Sequence, residues 1–247
     1  LALMDLFSGT DQREVVKALA EIIATESLQQ EALLYHCALT FKDQPSASLQ
    51  DINRLITLNP TNFMLKFFRG VLLTNLKEYD KAFSDLQRVI QAFQADGNSF
   101  KGRQSPLDKN IDLQYAGFYT VSNVFGMPES EASKIKEGFC LLVTGNFQES
   151  INVLTGISSY RTSALCLFLL AVAHEHMGAH DAACDYYNKA LQFDNKIVDA
   201  HKKRGIYRTN RNQWREAEED FNEVLILNPA LRITYKLRGV TRYHRKN

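Results

Sequence analysis

The sequence predicts an all-α protein built from helix hairpins stacked as a solenoid, and three observations lead there. The first is a period of 34 residues, visible in Gly70, Gly138, Gly205 and Gly239; a period of this size marks a repeat architecture. The second is the spacing inside one period. When these glycines are set at position 8, Ala82, Ser150 and Ala217 fall at position 20, and Leu86, Leu154 and Phe221 at position 24. With position 27 they form an i, i+4, i+7 stripe on one helix face. Small residues at 8 and 20 let two antiparallel helices approach closely. The third is composition. Of 247 residues 45% are hydrophobic and 23% charged, enough apolar surface for a continuous core. Only five prolines and twelve glycines occur, and strand-like alternation is missing.

Taken in order, Thr10 or Asp11 can cap a helix running through Glu14, Val15, Leu19 and Ile22 to Ala24, where the second helix of a preceding partial repeat (residues 1–28) belongs. A repeat from Gln29 supplies Ile52, Leu55, Leu58 and Pro60, and the next, from Phe63, supplies Gly70, Tyr79, Ala82, Leu86 and Val89. Starts at 63 and 131 are two periods apart, so 97–130 is expected to be a degenerate repeat. Its second helix should cover Ile111 to Val124, with Ala116 and Pro128 in register, while Gly97 to Pro106 has loop chemistry. Further repeats start at Glu131, Ala164 and Val198, and the copy from Arg232 carries Tyr235, Gly239 and Tyr243 without a second helix. The chain opens on leucine and stops inside a helical pattern, so a fragment of a longer chain is expected, with an open face on helix 232–247 that could touch another molecule.

These positions resemble the tetratricopeptide repeat. The copy from Val198 matches best, with Gly205, Trp214, Ala217, Phe221, Val224, Leu227 and Pro229; the copy from Ala164 carries Ala171, Gly178, Ala183, Tyr187, Ala190 and Phe193. The resemblance implies one domain over 1–247, a right-handed superhelix with the first helix of each repeat lining the concave face. It also implies a non-enzymatic scaffold or adaptor that binds a peptide or helix of a partner protein within a multiprotein assembly. Co-chaperone members grip a C-terminal carboxylate with lysine at position 5 and asparagine at position 9. Here those pairs are Leu33 and Cys37, Phe67 and Val71, Ile135 and Phe139, Phe168 and Val172, Lys202 and Ile206, and Lys236 and Val240. No copy has the clamp, which argues against chaperone tails as ligand.

The expected peptide contacts are therefore Leu33, Cys37, Phe67, Val71, Phe168, Val172, Lys202, Lys203, Ile206 and Lys236. They form an apolar channel with a basic end, suited to an amphipathic segment with acidic residues. The alternative is that Phe67, Phe68, Phe168 and Leu169 complete the packing between repeats and the lysines form a solvated face. The net charge of +1 hides an asymmetry: residues 196–247 hold 13 Lys and Arg against 6 Asp and Glu. A second reading is thus a nucleic-acid adaptor using Lys202, Lys203, Arg204, Arg208 and Arg211 with Tyr235, Arg238, Arg242, Tyr243, Arg245 and Lys246.

Enzymatic chemistry has little support. His174, His176 and His180 surround Gly178, which breaks the helix and separates any metal pair; His174 is expected to pack. Asp108, Asn110 and Asp112 open like a calcium loop, but Leu113 and Tyr119 stand where glycine and glutamate are needed. Phosphate-cradle and nucleophile-elbow motifs do not occur. No catalytic residue, metal or cofactor is expected. Cys37, Cys140, Cys166 and Cys184 are scattered and read as core residues of a reducing compartment, the cytoplasm. The longest apolar run, Ala164 to Ala173, is too short for a membrane span.

Overall fold

The computed structural model describes residues 12–24, 29–95, 123–124 and 127–246. The chain falls into two compact units, residues 1–103 and 104–247. The first contains α1 (Gln12–Ala24), α2 (Gln29–Thr40), α3 (Pro45–Leu58), α4 (Phe63–Asn75) and α5 (Tyr79–Ala95). The second contains α6 (Glu129–Val143), α7 (Phe147–Thr155), α8 (Ala164–His176), α9 (His180–Phe193), α10 (Val198–Asn210), α11 (Trp214–Leu227) and α12 (Arg232–Lys246). Among the described residues all regular structure is helical, and within each unit every helix packs on the next in sequence. This is the all-α hairpin solenoid that the period predicts. The degenerate repeat, with Asp108, Asn110, Asp112 and most of Ile111 to Val124, lies outside the described residues, as do Thr10 and Asp11.

Local chemistry sets the helix starts. Asn62 caps α4, its side chain accepting from the Met64 N–H at 3.1 Å, and Ser163 caps α8 by accepting from the Cys166 N–H at 3.3 Å. Pro45 opens α3, where its missing N–H costs no hydrogen bond. Within a hairpin the chain reverses at position 15. Lys77, Gly145, Gly178 and Asn212 all take left-handed φ, from 61 to 86°. The following N–H then reaches back to the first helix: Glu78 to the Leu73 carbonyl at 2.8 Å, and Asn146 to Leu141, Ala179 to His174 and Gln213 to Arg208 at 2.9 Å. This is the Schellman arrangement that satisfies the last carbonyls of a helix.

Packing follows the small-and-bulky spacing. A Cβ placed on Gly70 would lie 3.0 Å from Leu86, on Gly138 2.8 Å from Leu154, and on Gly205 2.7 Å from Phe221. Position 8 is glycine because the residue at 24 fills the space a side chain would need. Ser150 takes the small position 20 and uses its hydroxyl, which donates to the Gly138 carbonyl at 2.7 Å. One element differs from the expected stripe. α7 stops at Thr155 with Gly156 as its cap, so Ile157, expected on the helix, is buried from the turn that follows.

Candidate functional site

The basic residues near the end of the sequence are mostly used inside the fold. Asp220, only 2% exposed, receives the Arg204 guanidinium on both oxygens, with Nη2 at 2.5 Å and Nε at 3.0 Å. Arg208 Nη1 lies at 2.9 Å and His201 Nδ1 at 3.1 Å from the same carboxylate. Burial raises the pKa of Asp220, but donors from His201 and Arg204 with the charge of Arg208 outweigh it, and the net shift is downward. Lys202 pairs with Asp199 at 2.6 Å, Lys203 with Glu175 at 2.7 Å, and Arg211 with Asp181. Glu218 takes Arg242 at 2.6 Å and Arg245 at 2.5 Å. Charge that stands out in the sequence is thereby compensated, and the nucleic-acid reading loses most of its phosphate ligands.

The ten expected contacts separate by burial. Leu33, Cys37, Phe67, Phe168, Val172 and Lys202 are buried; Val71 and Ile206 are half-buried, Lys203 is half-buried in its ion pair, and Lys236 is exposed. Leu33 belongs to a core with Leu19, Ile23, Ala32, Leu55 and Leu65. Phe168 lies in α8, where every residue from Leu165 to Ala173 is buried; such an all-round apolar helix offers no ligand surface. In α2 and α4 the exposed residue is the next one along, at position 6. Leu34 is 50% exposed and Phe68 39%.

Leu34 and Phe68 belong to a cleft of about 610 Å³ in the first unit, formed by α2, α3 and α4. Its walls are apolar (Leu34, Phe41, Ile52, Leu65 and Phe68), Cys37 lies among them, and Lys42 and Asp43 add charged groups to the lining. Burial and the nearby Asp51 charge push the Cys37 thiol up to about 11, so it stays neutral and unreactive. A second groove, about 440 Å³, lies between α8, α9 and α10 and includes Lys203, Ile206, Tyr207 and Arg211 with Glu175 and Asp181. It is polar and internally paired: Tyr207 donates to Asp181, which drives the phenol up to about 12. The expected contacts are thus distributed, with Cys37 in the first cleft and Lys203 and Ile206 in the second.

Residues 164–197, which form α8, α9 and their turns, match the family model for the tetratricopeptide repeat. The chain contains a tetratricopeptide repeat. Among solved structures it is similar to a tetratricopeptide repeat protein of Parabacteroides merdae, at 16% identity over 94% of this chain and 78% of that one, with a TM-score of 0.43. It is also similar to MamA from Desulfovibrio magneticus RS-1, at 15% identity over 82% and 97% with a TM-score of 0.38. A third is the TPR2AB domain of yeast Sti1, solved with pHSP90, at 12% identity over 96% and 92% with a TM-score of 0.39. No curated protein matches the chain.

Two of the three histidines serve packing. His174 stacks on Tyr186 with ring centroids 5.2 Å apart, and burial lowers its pKa. His176 stacks on Phe147 at 5.1 Å, and His180 opens α9 beyond the left-handed turn at Gly178. Among the described residues no three of His, Cys, Asp and Glu gather in a group able to hold a metal. All four cysteines are buried, and none is in a disulfide. No described helix is long and apolar enough to cross a membrane.

Proposed function

We propose that this tetratricopeptide-repeat chain is a non-catalytic interaction scaffold that holds an apolar-sided peptide or helix of a partner protein, as part of a multiprotein assembly in the reducing cytoplasm. The cleft of the first unit carries this reading. It is concave and lined by side chains from three helices, and it leaves Leu34 and Phe68 standing in solvent. A pocket of this size takes several apolar side chains of a bound segment, and its apolar walls supply the driving force. Lys42 and Asp43 in its lining can orient that segment through polar contacts. Cys37 and Leu65 contribute to the walls, while Phe67 packs edge-on against Phe68 at 5.9 Å and holds that ring in place. Val71, Ile206, Lys203 and Lys236 remain candidates for secondary contacts, the middle two through the polar groove.

The test compares partner recovery by wild-type chain and by a Leu34→Asp, Phe68→Asp variant, using affinity capture followed by mass spectrometry. Both side chains are partly exposed, Leu34 50% and Phe68 39%, so the folded state of the variant is checked alongside its binding. Proteins that depend on the cleft should vanish from the variant's eluate while its circular dichroism remains that of a folded helical chain. An identical set of recovered proteins sinks the assignment of the cleft.

A further inference from the structure

The hairpins repeat a three-residue clasp. At position 7 of its repeat, Arg69 sends Nε and Nη2 to Asp85 at 2.6 and 2.7 Å and Nη1 to Asn53 at 3.0 Å. One hundred and thirty-five residues later Arg204 does the same, with Nε and Nη2 on Asp220 and Nη1 on Asn188 at 3.0 Å. The aspartate sits at position 23 of the same repeat, and the asparagine at position 25 of the repeat before. One guanidinium thereby ties three successive helices together, α3, α4 and α5 in the first unit and α9, α10 and α11 in the second. Asn222 and Arg238 repeat the asparagine half at 2.9 Å.

Each full clasp stands behind a groove. The cleft of the first unit lies among α2, α3 and α4 and the polar groove of the second among α8, α9 and α10, the same place in the repeat. Position 24 and position 6 of the next repeat line both: Ile52 and Phe68 in one, Tyr187 and Lys203 in the other. The clasp residues are the next ones along, Asn53 and Arg69, and Asn188 and Arg204. One residue turns a helix by about 100°, so the two helices are joined on a side other than the one that opens. Asn53, Arg69 and Asp85 accordingly line a separate polar recess of about 500 Å³ that has no residue in common with the cleft. The grooves differ in front. Glu175 accepts from Tyr187 and from Lys203, each at 2.7 Å, and so bridges positions 24 and 6 across the second groove. Ile52 and Phe68 are hydrocarbon and can form no such bridge, which leaves the spacing of α3 and α4 more dependent on the clasp behind them.

We propose that Arg69 is a positioning residue of the first-unit cleft: by holding Asn53 of α3 and Asp85 of α5 on one guanidinium, it fixes α4 against α3 and sets how far the apolar cleft opens. Asp85 is only 3% exposed and takes the guanidinium on both oxygens. This bidentate grip fixes the orientation from which Nη1 reaches Asn53. A lysine could not replace Arg69, because an ammonium lacks the planar fork that serves a carboxylate and an amide together. The bearing of this on recognition rests on the cleft being the partner site, whereas its opening is read with no partner present.

The chain supplies its own reporters. Cys37 lines the first cleft and Cys184 the second groove, Cys140 and Cys166 line neither, and all four are buried. Iodoacetamide reaches a buried thiol only when its surroundings open, and peptide mass spectrometry gives the rate at each cysteine of the 247-residue chain. Asn53→Ala removes the α3 half of the clasp, leaves Arg69 on Asp85, and puts a better helix former at an exposed helix position. It should speed alkylation of Cys37 about fivefold, the population change carried by one hydrogen bond, with Cys140, Cys166 and Cys184 unchanged. Asn53→Asp, which returns an acceptor to Arg69, should restore the wild-type rate. Asn188→Ala should speed Cys184 by less, because Glu175 still bridges that groove. The inference is overturned if Cys37 reacts at the wild-type rate in Asn53→Ala, or if Asn53→Asp reacts as fast as Asn53→Ala. It is also overturned if all four cysteines speed up together, which would make the bond a support of the whole fold rather than of the cleft. Partner capture by the Leu34→Asp, Phe68→Asp variant is a separate measurement, so the two readings fail independently.

Discussion

Helices α10 and α12 begin alike and end in different circumstances. Each carries the Arg-Gly pair at positions 7 and 8, as Arg204-Gly205 and Arg238-Gly239, and each arginine bonds an asparagine of the repeat before. On α10 a second helix then closes over the pair, so that Phe221 fills the glycine slot and Asp220 gathers Arg204, Arg208 and His201. On α12, among the described residues, nothing lies within 4 Å of a Cβ placed on Gly239, and Arg238 reaches Asn222 and the Tyr235 ring rather than a carboxylate. The same two residues therefore act as internal glue in one hairpin and stand uncovered among the described residues in the other. What decides between them is whether a neighbour arrives, a property the dipeptide itself does not encode. Repeat proteins are held by such nearest-neighbour interfaces, so a vacant interface keeps the chemistry of a filled one.

The comparison breaks most violently at Asp220. Removing one partner of a buried charge cluster leaves the others uncompensated, so Asp220→Ala should cost about 3–5 kcal/mol in chemical denaturation. Asp85→Ala in the first unit strands one arginine rather than two and a histidine, and should cost less. Next comes Gly205→Leu, which drives a side chain into Phe221 and should cost about 1–3 kcal/mol by overpacking. A neutral result there would mean that the α10–α11 contact is looser than its 2.7 Å approach implies.

Acid titration sharpens the same contrast. Because the folded pKa of Asp220 lies below its ordinary value, the stability it confers is complete above that value, about 4, and is lost as pH falls through the folded pKa. The denaturation midpoint of the wild-type chain should therefore drop steeply on acidification below about pH 4. Asp220→Asn should flatten that limb, whereas Arg238→Ala should leave it unaltered. Equal acid sensitivity in wild type and Asp220→Asn would place the acid-labile contact elsewhere.

The fold was legible because its determinants are spaced residues with strong steric requirements. Glycines at position 8 and bulky residues at 24 announce a close helix contact whatever surrounds them, and Gly70, Gly138 and Gly205 make it. The exposed apolar face of the first unit was legible only to within one residue. Leu33-Leu34, Phe67-Phe68 and Phe168-Leu169 are apolar doublets, and periodicity assigns no phase to a helix whose two neighbouring positions are equally greasy. Burial resolves the first two doublets in favour of Leu34 and Phe68 as the exposed members, and closes the third entirely. The charges misled for a different reason. A run such as Lys202-Lys203-Arg204 reads as basic along the chain, but its neutralising partners Asp199, Glu175 and Asp220 come largely from other elements. The repeat register does hold a signal for that pairing. Aspartate recurs at position 23 (Asp51, Asp85, Asp220) and arginine at position 7 (Arg69, Arg204, Arg238), and these are the two charged halves of the clasp.

The smallest effect is the most discriminating. Gly239→Leu, the counterpart of Gly205→Leu one repeat later, replaces a glycine on the open face of a helix with a good helix former. With nothing within 4 Å to obstruct the new side chain, helix propensity alone operates, and the chain should gain up to about 0.8 kcal/mol rather than lose stability. Two identical substitutions 34 residues apart would then carry opposite signs, measured as opposite displacements of the denaturation midpoint. Should Gly239→Leu destabilise instead, other residues of the chain cover this face, and α12 is packed in the manner of α10.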